Sequence, residues 1–149
     1  MAGKMRKMVA VLLAAMAVII APVNVYAMSG MDGGIATYDY GQESSCTQSF
    51  HLRIIATGVY NAGISVDGTV SLRYRWDEGY TSEFVSGTGI AAHVTHVPDG
   101  IAQDGWSAQI YHLTTAGNTI VFKVELSRNN EVVGSAEISY YVDEYGQVS

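Results

Sequence analysis

Residues 67–76 read DGTVSLRYRW, a stretch in which apolar and polar side chains alternate. Its even-numbered apolar residues are Val70, Leu72, Tyr74 and Trp76. Its odd-numbered residues from 69 onward are Thr69, Ser71, Arg73 and Arg75. Because successive side chains of a strand point to opposite faces, this period of two predicts a β-strand with one face in a core. The Asp67-Gly68 pair, preceded by Ile64-Ser65-Val66, predicts a tight hairpin turn at residues 67–68.

The same alternation recurs from Phe50 to Val142, and residues typical of turns separate the segments. Strands are predicted within residues 50–56, 64–66, 69–76, 81–97, 106–115, 120–127 and 132–142. Residues 81–97 are expected to hold two short strands with a bend at Gly87-Thr88-Gly89. Strands joined by short turns form antiparallel sheets, and a single sheet cannot bury its apolar face. The pattern therefore predicts an all-β, immunoglobulin-like antiparallel β-sandwich of about seven strands, with a small β-barrel as the alternative.

The first 27 residues have the order of a secretory signal peptide. Lys4, Arg6 and Lys7 form a basic start, and the apolar run Val9–Ala21 follows. The run ends at Pro22, before the small residues of a cleavage site at Ala27. A spanning helix needs about 20 apolar residues, so this run is too short to favour an anchor. We expect a signal peptide at 1–27, a flexible leader at 28–48 and a single β-sandwich domain at 49–149.

The net charge of the chain indicates which classes of partner it repels. The whole chain has 8 Lys and Arg against 14 Asp and Glu, a net charge of −6. Cleavage after Ala27 removes three of the basic residues, which leaves 5 against 14 and a net charge of −9. Such a chain is repelled by nucleic acid and by anionic membranes. The prediction is an acidic, secreted, extracellular protein, bacterial to judge from its signal peptide, that binds neither nucleic acid nor a membrane.

Cys46 is the only cysteine in the sequence. A small secreted domain held by disulfides would carry an even number of cysteines, so burial has to stabilise this one. Three roles stay open for the thiol: an inert residue, a bond to another chain, or a nucleophile. A nucleophile needs a neighbouring base, and the residues around Cys46 in the sequence provide none.

The histidines and carboxylates are the candidates for chemistry. His93 and His96 are three residues apart, and Asp99 follows three further on. Residues three apart on a strand point to opposite faces, so these three are weak candidates for a metal site. No cofactor is predicted. The sequence also lacks the common motifs of serine hydrolases and phosphate-binding loops.

Aromatic and basic residues are the better candidates for binding. Tyrosines that fall out of phase with the core or lie in turns suit a recognition surface, because each offers a large area at low entropic cost. The candidate binding residues are Arg73, Arg75, Tyr80, Tyr111 and Tyr141. We expect the two arginines either to pair with carboxylates across the sheet, such as Glu125 or Glu137, or to anchor an acidic ligand.

Two functions of different classes follow. The first is a secreted, non-catalytic binding module that acts outside the cell on a protein, a glycan or the envelope. The second is a small secreted hydrolase or metal-dependent enzyme that uses His93, His96 or His112 with a carboxylate from a turn. A secreted toxin or inhibitor is a third, weaker hypothesis. The source of the chain and its oligomeric state stay open.

Overall fold

The computed structural model of the 149-residue chain describes residues 40–58 and 60–149. The predicted signal peptide and residues 28–39 of the predicted leader lie outside the described residues. Six strands follow in order: β1 (Gln42–Ala56), β2 (Ala62–Asp77), β3 (Thr81–His96), β4 (Trp106–Ala116), β5 (Thr119–Arg128) and β6 (Glu131–Tyr141). β1 begins at Gln42, inside the segment that the sequence assigns to the leader.

The fold is all-β, with two antiparallel sheets of three strands each. One sheet has the order β1-β2-β3 and the other β4-β5-β6, an arrangement consistent with a β-sandwich. In each sheet the strand order follows the chain order, whereas immunoglobulin domains interleave strands from distant parts of the chain. The described residues form six strands instead of about seven, because two of the predicted turns are not turns.

The chain divides into two compact units. The larger unit consists of residues 44–74, 83–142 and 148–149, and it contains the facing parts of both sheets. In the smaller unit the described residues are 40–43, 75–82 and 143–147.

In the smaller unit the guanidinium of Arg75 lies 4.7 Å from the centre of the Tyr40 ring. The amide of Gly79 donates to the carbonyl of Glu144 at 3.0 Å. The ring of Trp76 packs against Gly146 so closely that a Cβ there would lie 2.6 Å from it. Trp76 is therefore half-buried in this unit, although the sequence places it with the core of β2.

Alternation decides which face of each strand is buried. On β5, Ile120, Phe122, Val124 and Leu126 are completely buried, as the sequence predicts. On β4, the predicted inward residues Trp106, Ala108 and Ile110 are half-buried between exposed neighbours. The core joins the two sheets, because one buried cluster combines Ile54, Ile64 and Val66 of the first sheet with Val124 and Leu126 of the second.

The predicted hairpin at Asp67-Gly68 is wrong, because β2 runs through both residues as one strand of 16 residues. In a two-residue hairpin Val66 would lie opposite Thr69, and opposite residues share a face. The apolar residues of 64–66 would then share a face with Thr69 and Ser71. The straight strand instead keeps Ile64, Val66, Val70 and Leu72 on one buried face.

The predicted bend at Gly87-Thr88-Gly89 is also wrong, since β3 is continuous from Thr81 to His96. These glycines do not form a turn. They allow side chains of the other sheet to pack close to the backbone of β3. A Cβ on Gly87 would lie 2.5 Å from Ile120 and 2.9 Å from Phe122, and one on Gly89 would lie 2.5 Å from Ile110. Here the absence of side chains on β3 lets the residues of β4 and β5 approach its backbone.

A β-bulge in β6 changes which of its residues face the core, compared with the alternation in the sequence. Leu126 pairs with Gly134 and Ser127 with Val132, so Val133 is the extra residue between two pairs. By alternation alone Val132 would share the buried face with Ala136, but the bulge leaves it 57% exposed. The residues beyond the bulge keep the predicted phase.

Gly68 is expected to be intolerant of a side chain. A Cβ there would lie 2.3 Å from the Phe50 ring and 2.4 Å from the carbonyl oxygen of Ala91, which is backbone and cannot move aside. We expect Gly68→Ala to lower the free energy of unfolding by about 1–3 kcal/mol, measured by urea denaturation. Gly41→Ala is the matched control, because its Cβ would come no closer than 3.8 Å to another atom. Equal losses in the two variants would contradict the close packing at Gly68.

Candidate functional site

A cleft of about 480 Å³ lies on the solvent-facing side of the sheet β1-β2-β3, within the larger unit. Its lining residues are Ser49, Phe50, His51, Asp67, Gly68, Thr69, Ala91 and His93. All of the polar ones are odd-numbered, whereas the buried residues of β1, and those of β2 from Ile64 to Tyr74, are even-numbered. The polar side chains therefore point away from the core, and three adjacent strands contribute them.

The centre of the cleft is a hydrogen bond between side chains of neighbouring strands. Nδ1 of His51 on β1 contacts a carboxylate oxygen of Asp67 on β2. Because an ionised carboxylate only accepts hydrogen bonds, Nδ1 carries the proton and Nε2 stays available to a ligand. The pair is open to solvent, with the His51 side chain 68% exposed and that of Asp67 44% exposed. It orients both groups, and its contribution to stability is small.

The other polar side chains of the cleft have no hydrogen-bond partner among the described residues. Within residues 40–58 and 60–149, the side chains of Ser49, Thr69 and His93 make no hydrogen bond or ion pair with the protein. None of the eight lining residues is Lys or Arg. The cleft thus presents two hydroxyls, two imidazoles and one carboxylate, all accessible and held by a sheet.

Sequence reasoning missed this site because it assigned Asp67 to a turn. Once β2 is taken as continuous, Asp67 becomes an acidic residue in the middle of a strand, where aspartate is rare. The sequence signal for a continuous strand was that the apolar residues before and after Asp67 keep the same alternation. His51 was likewise interpreted only as an outward-facing polar residue of a strand.

The predicted metal candidates do not come together. His93 lines the large cleft, whereas His96 lines a separate cleft of about 230 Å³ with Gln103 and Trp106. Asp99 is exposed in the turn after β3 and lines neither cleft. His112 lies on β4, where its Nε2 is 2.8 Å from the hydroxyl of Thr115. Among the described residues no group of three His, Cys, Asp or Glu side chains is placed to hold a metal ion.

The candidate tyrosines are exposed but distributed. Tyr111 and Tyr141 lie on the two edge strands of the second sheet and are 43% and 44% exposed. Their partners on β5 are Lys123 and Thr119, four residues apart, so the two are separated by about 13 Å along the strand and about 10 Å across it. They do not form one patch. Tyr80 belongs to the smaller unit and is 78% exposed.

The expected partners of the candidate arginines are wrong. β2 hydrogen-bonds to β1 and β3, whereas Glu125 and Glu137 lie on β5 and β6 of the other sheet. Glu125 instead forms an ion pair with Lys123 at 3.0 Å, and Glu137 is the cross-strand neighbour of the same lysine. Arg73 lies exposed in the larger unit, and Arg75 lies over Tyr40 in the smaller one.

Cys46 faces the interior at the start of β1, near the hydroxyl of Tyr140 on β6. Its Sγ accepts a contact from the Gln48 amide at 3.8 Å, and the thiol is free. The Tyr140 hydroxyl is buried and has no hydrogen-bond partner among the described residues. Burial raises the pKa of the Tyr140 phenol above its usual value of 10.0, and the neighbouring Cys46 raises it further.

This buried phenol predicts a loss of stability in alkali. In the unfolded chain Tyr140 ionises near pH 10, whereas the folded protein keeps its proton to higher pH, so the free energy of unfolding falls as pH rises above 10. We expect Tyr140→Phe to reduce this fall and to stabilise the protein by about 1 kcal/mol at pH 7, because an unpartnered hydroxyl is removed.

The control is Tyr141→Phe, which changes the exposed neighbour on the same strand. Urea denaturation between pH 7 and pH 11 compares the two variants with the wild-type protein. A Tyr140→Phe curve parallel to that of the wild type would show that the Tyr140 hydroxyl is not held in its neutral form by burial.

The described residues contain no helix that is long and apolar enough to cross a membrane. Comparison with protein-family models, with curated proteins and with solved structures found no match to this chain. The geometry of the large cleft is therefore the basis for a functional proposal.

Proposed function

We propose that the protein is exported and acts outside the cell as a binding module, with the large cleft on β1-β2-β3 as its ligand-binding surface. The observation that carries this proposal is the convergence of five hydrogen-bonding side chains from three adjacent strands on one open cleft. Its volume of about 480 Å³ falls in the usual range for ligand pockets, about 300–1,000 Å³. The basic and apolar segments at residues 1–27 support export.

A sheet is a suitable base for such a site. Binding groups on strands keep their positions better than those on loops, so less conformational freedom is lost when a ligand binds. The inward face beneath the cleft belongs to the core, where Val66 and Val70 flank Gly68 and are completely buried. The core therefore holds the outward residues in place.

Binding is favoured over hydrolysis by the contacts of His51. An imidazole oriented by a carboxylate provides two of the three groups of a catalytic triad, and Ser49 lies two residues before His51 on the same face. A serine hydrolase also needs a hydrogen bond between nucleophile and base. Within the described residues Ser49 makes no such bond to His51.

The role of the cleft is tested with a pair of histidine variants. We expect the purified protein to bind an envelope fraction or extracellular ligand, and His93→Ala to weaken this binding about tenfold through the loss of one hydrogen bond. His112→Ala is the control, since His112 is an exposed strand histidine outside the cleft. Affinity is measured by biolayer interferometry. Unchanged binding by His93→Ala would show that the cleft is not the binding surface.

Export is tested separately. The protein is expressed with its natural N-terminus in a secreting host, and the product is recovered from the medium. We expect its N-terminal sequence to begin at Met28, because Val25 and Ala27 place small residues at the −3 and −1 positions. Retention of the uncleaved chain in the cells would contradict the proposed export.

A further inference from the structure

We propose that the large cleft binds a neutral saccharide, an inference that rests on the proposed binding function and specifies its ligand class. The proposal depends on the kind of groups that meet in the cleft. Sugar hydroxyls both donate and accept hydrogen bonds. The hydroxyls of Ser49 and Thr69 also do both, and each imidazole can do either, whereas the Asp67 carboxylate accepts only. A ligand made of hydroxyls can satisfy all of these groups.

Asp67 is the central group of this recognition. An ionised carboxylate has about four positions for hydrogen-bond donors, and His51 occupies one of them. The remaining positions can accept two adjacent hydroxyls of a sugar. Because His51 already fixes the carboxylate, little freedom is lost when the sugar binds. Hydrogen bonds to a charged acceptor are also stronger than those between neutral groups.

The charge of the cleft disfavours anionic ligands. Phosphate and carboxylate groups are usually bound by Arg or Lys, and neither residue is present in the lining. The charge of Asp67 would repel such ligands, and the whole chain carries a net charge of −6. A neutral ligand avoids this cost.

The shape of the cleft disfavours a protein partner. A stable protein interface covers about 800 Å² on each side and uses large aromatic or apolar anchors at its centre. The exposed large apolar side chains of the described residues, such as Ile90 and Val132, do not line the cleft. Its apolar lining comes from Phe50 and Ala91, and the ring of Phe50 is partly buried against the core.

The saccharide proposal is tested with an array of neutral and acidic oligosaccharides, followed by calorimetric titration of the best binder. We expect binding to at least one neutral saccharide, and a loss of affinity of about tenfold or more in Asp67→Asn. Asp99→Asn is the matched control, since Asp99 is an exposed aspartate outside the cleft. Thr69→Val is a second cleft variant for the case that Asp67→Asn does not fold. The β-branched side chain of valine suits a strand.

The outcomes separate the two proposals. Cleft-dependent binding of a neutral saccharide supports both. Binding that depends on His93 and Thr69 but is specific for an acidic saccharide or a polypeptide overturns the saccharide inference and leaves the binding function standing. Folded wild-type protein that binds no member of the array also overturns the saccharide inference. Saccharide binding unchanged in both cleft variants overturns the assignment of the cleft.

Discussion

The structure depends on the contact between two sheets that cannot each bury a face alone. Three strands form a sheet with one apolar side, and only a second layer removes that side from water. Leu72 of β2 and Phe122 of β5 meet above Gly87 of β3, where a side chain of any size would separate the sheets. The core therefore depends on the close approach at this glycine as well as on its apolar residues.

The edges of the two sheets are also joined. At one edge the backbone amide and the hydroxyl of Thr57 both donate to the carbonyl of Val133, at 2.9 and 3.1 Å. Elsewhere, the amide of Phe84 on β3 donates to the carbonyl of Gly117, in the turn between β4 and β5, at 2.8 Å. Exposed strand edges promote aggregation, and these bonds occupy part of them.

One arginine shows how the chain holds its connecting segments without a disulfide. The Arg128 guanidinium lies 5.6 Å from the ring of Tyr60 and 5.2 Å from that of Trp106. It also donates to the carbonyl of Asp104 at 2.7 Å. Only 11% of the Arg128 side chain is exposed, so these contacts are shielded from water and are worth more than a surface ion pair.

Simple alternation of apolar and polar residues predicts the buried face of a strand correctly wherever the strand keeps the same alternation along its length. It identifies the buried face of β5 and of the first half of β4, because burial on one side of a pleated strand requires a period of two. It fails where a local signal competes with that phase. Asp-Gly is a strong hairpin signal, but tertiary packing against Phe50 and Ala91 makes Gly68 a strand residue. The bulge at Val133 shifts the phase through pairing with another strand, which local periodicity does not show.

The same residue pair decides both the fold and the site. If Asp67 and Gly68 formed a hairpin, Asp67 would lie at the tip of a turn, away from a flat sheet face. In the continuous strand, Gly68 lets Phe50 and the backbone of Ala91 approach from either side. That approach brings β1 and β3 close around β2 and places His51 against Asp67. The glycine that removes the turn is thus the residue that allows three strands to present one polar cleft.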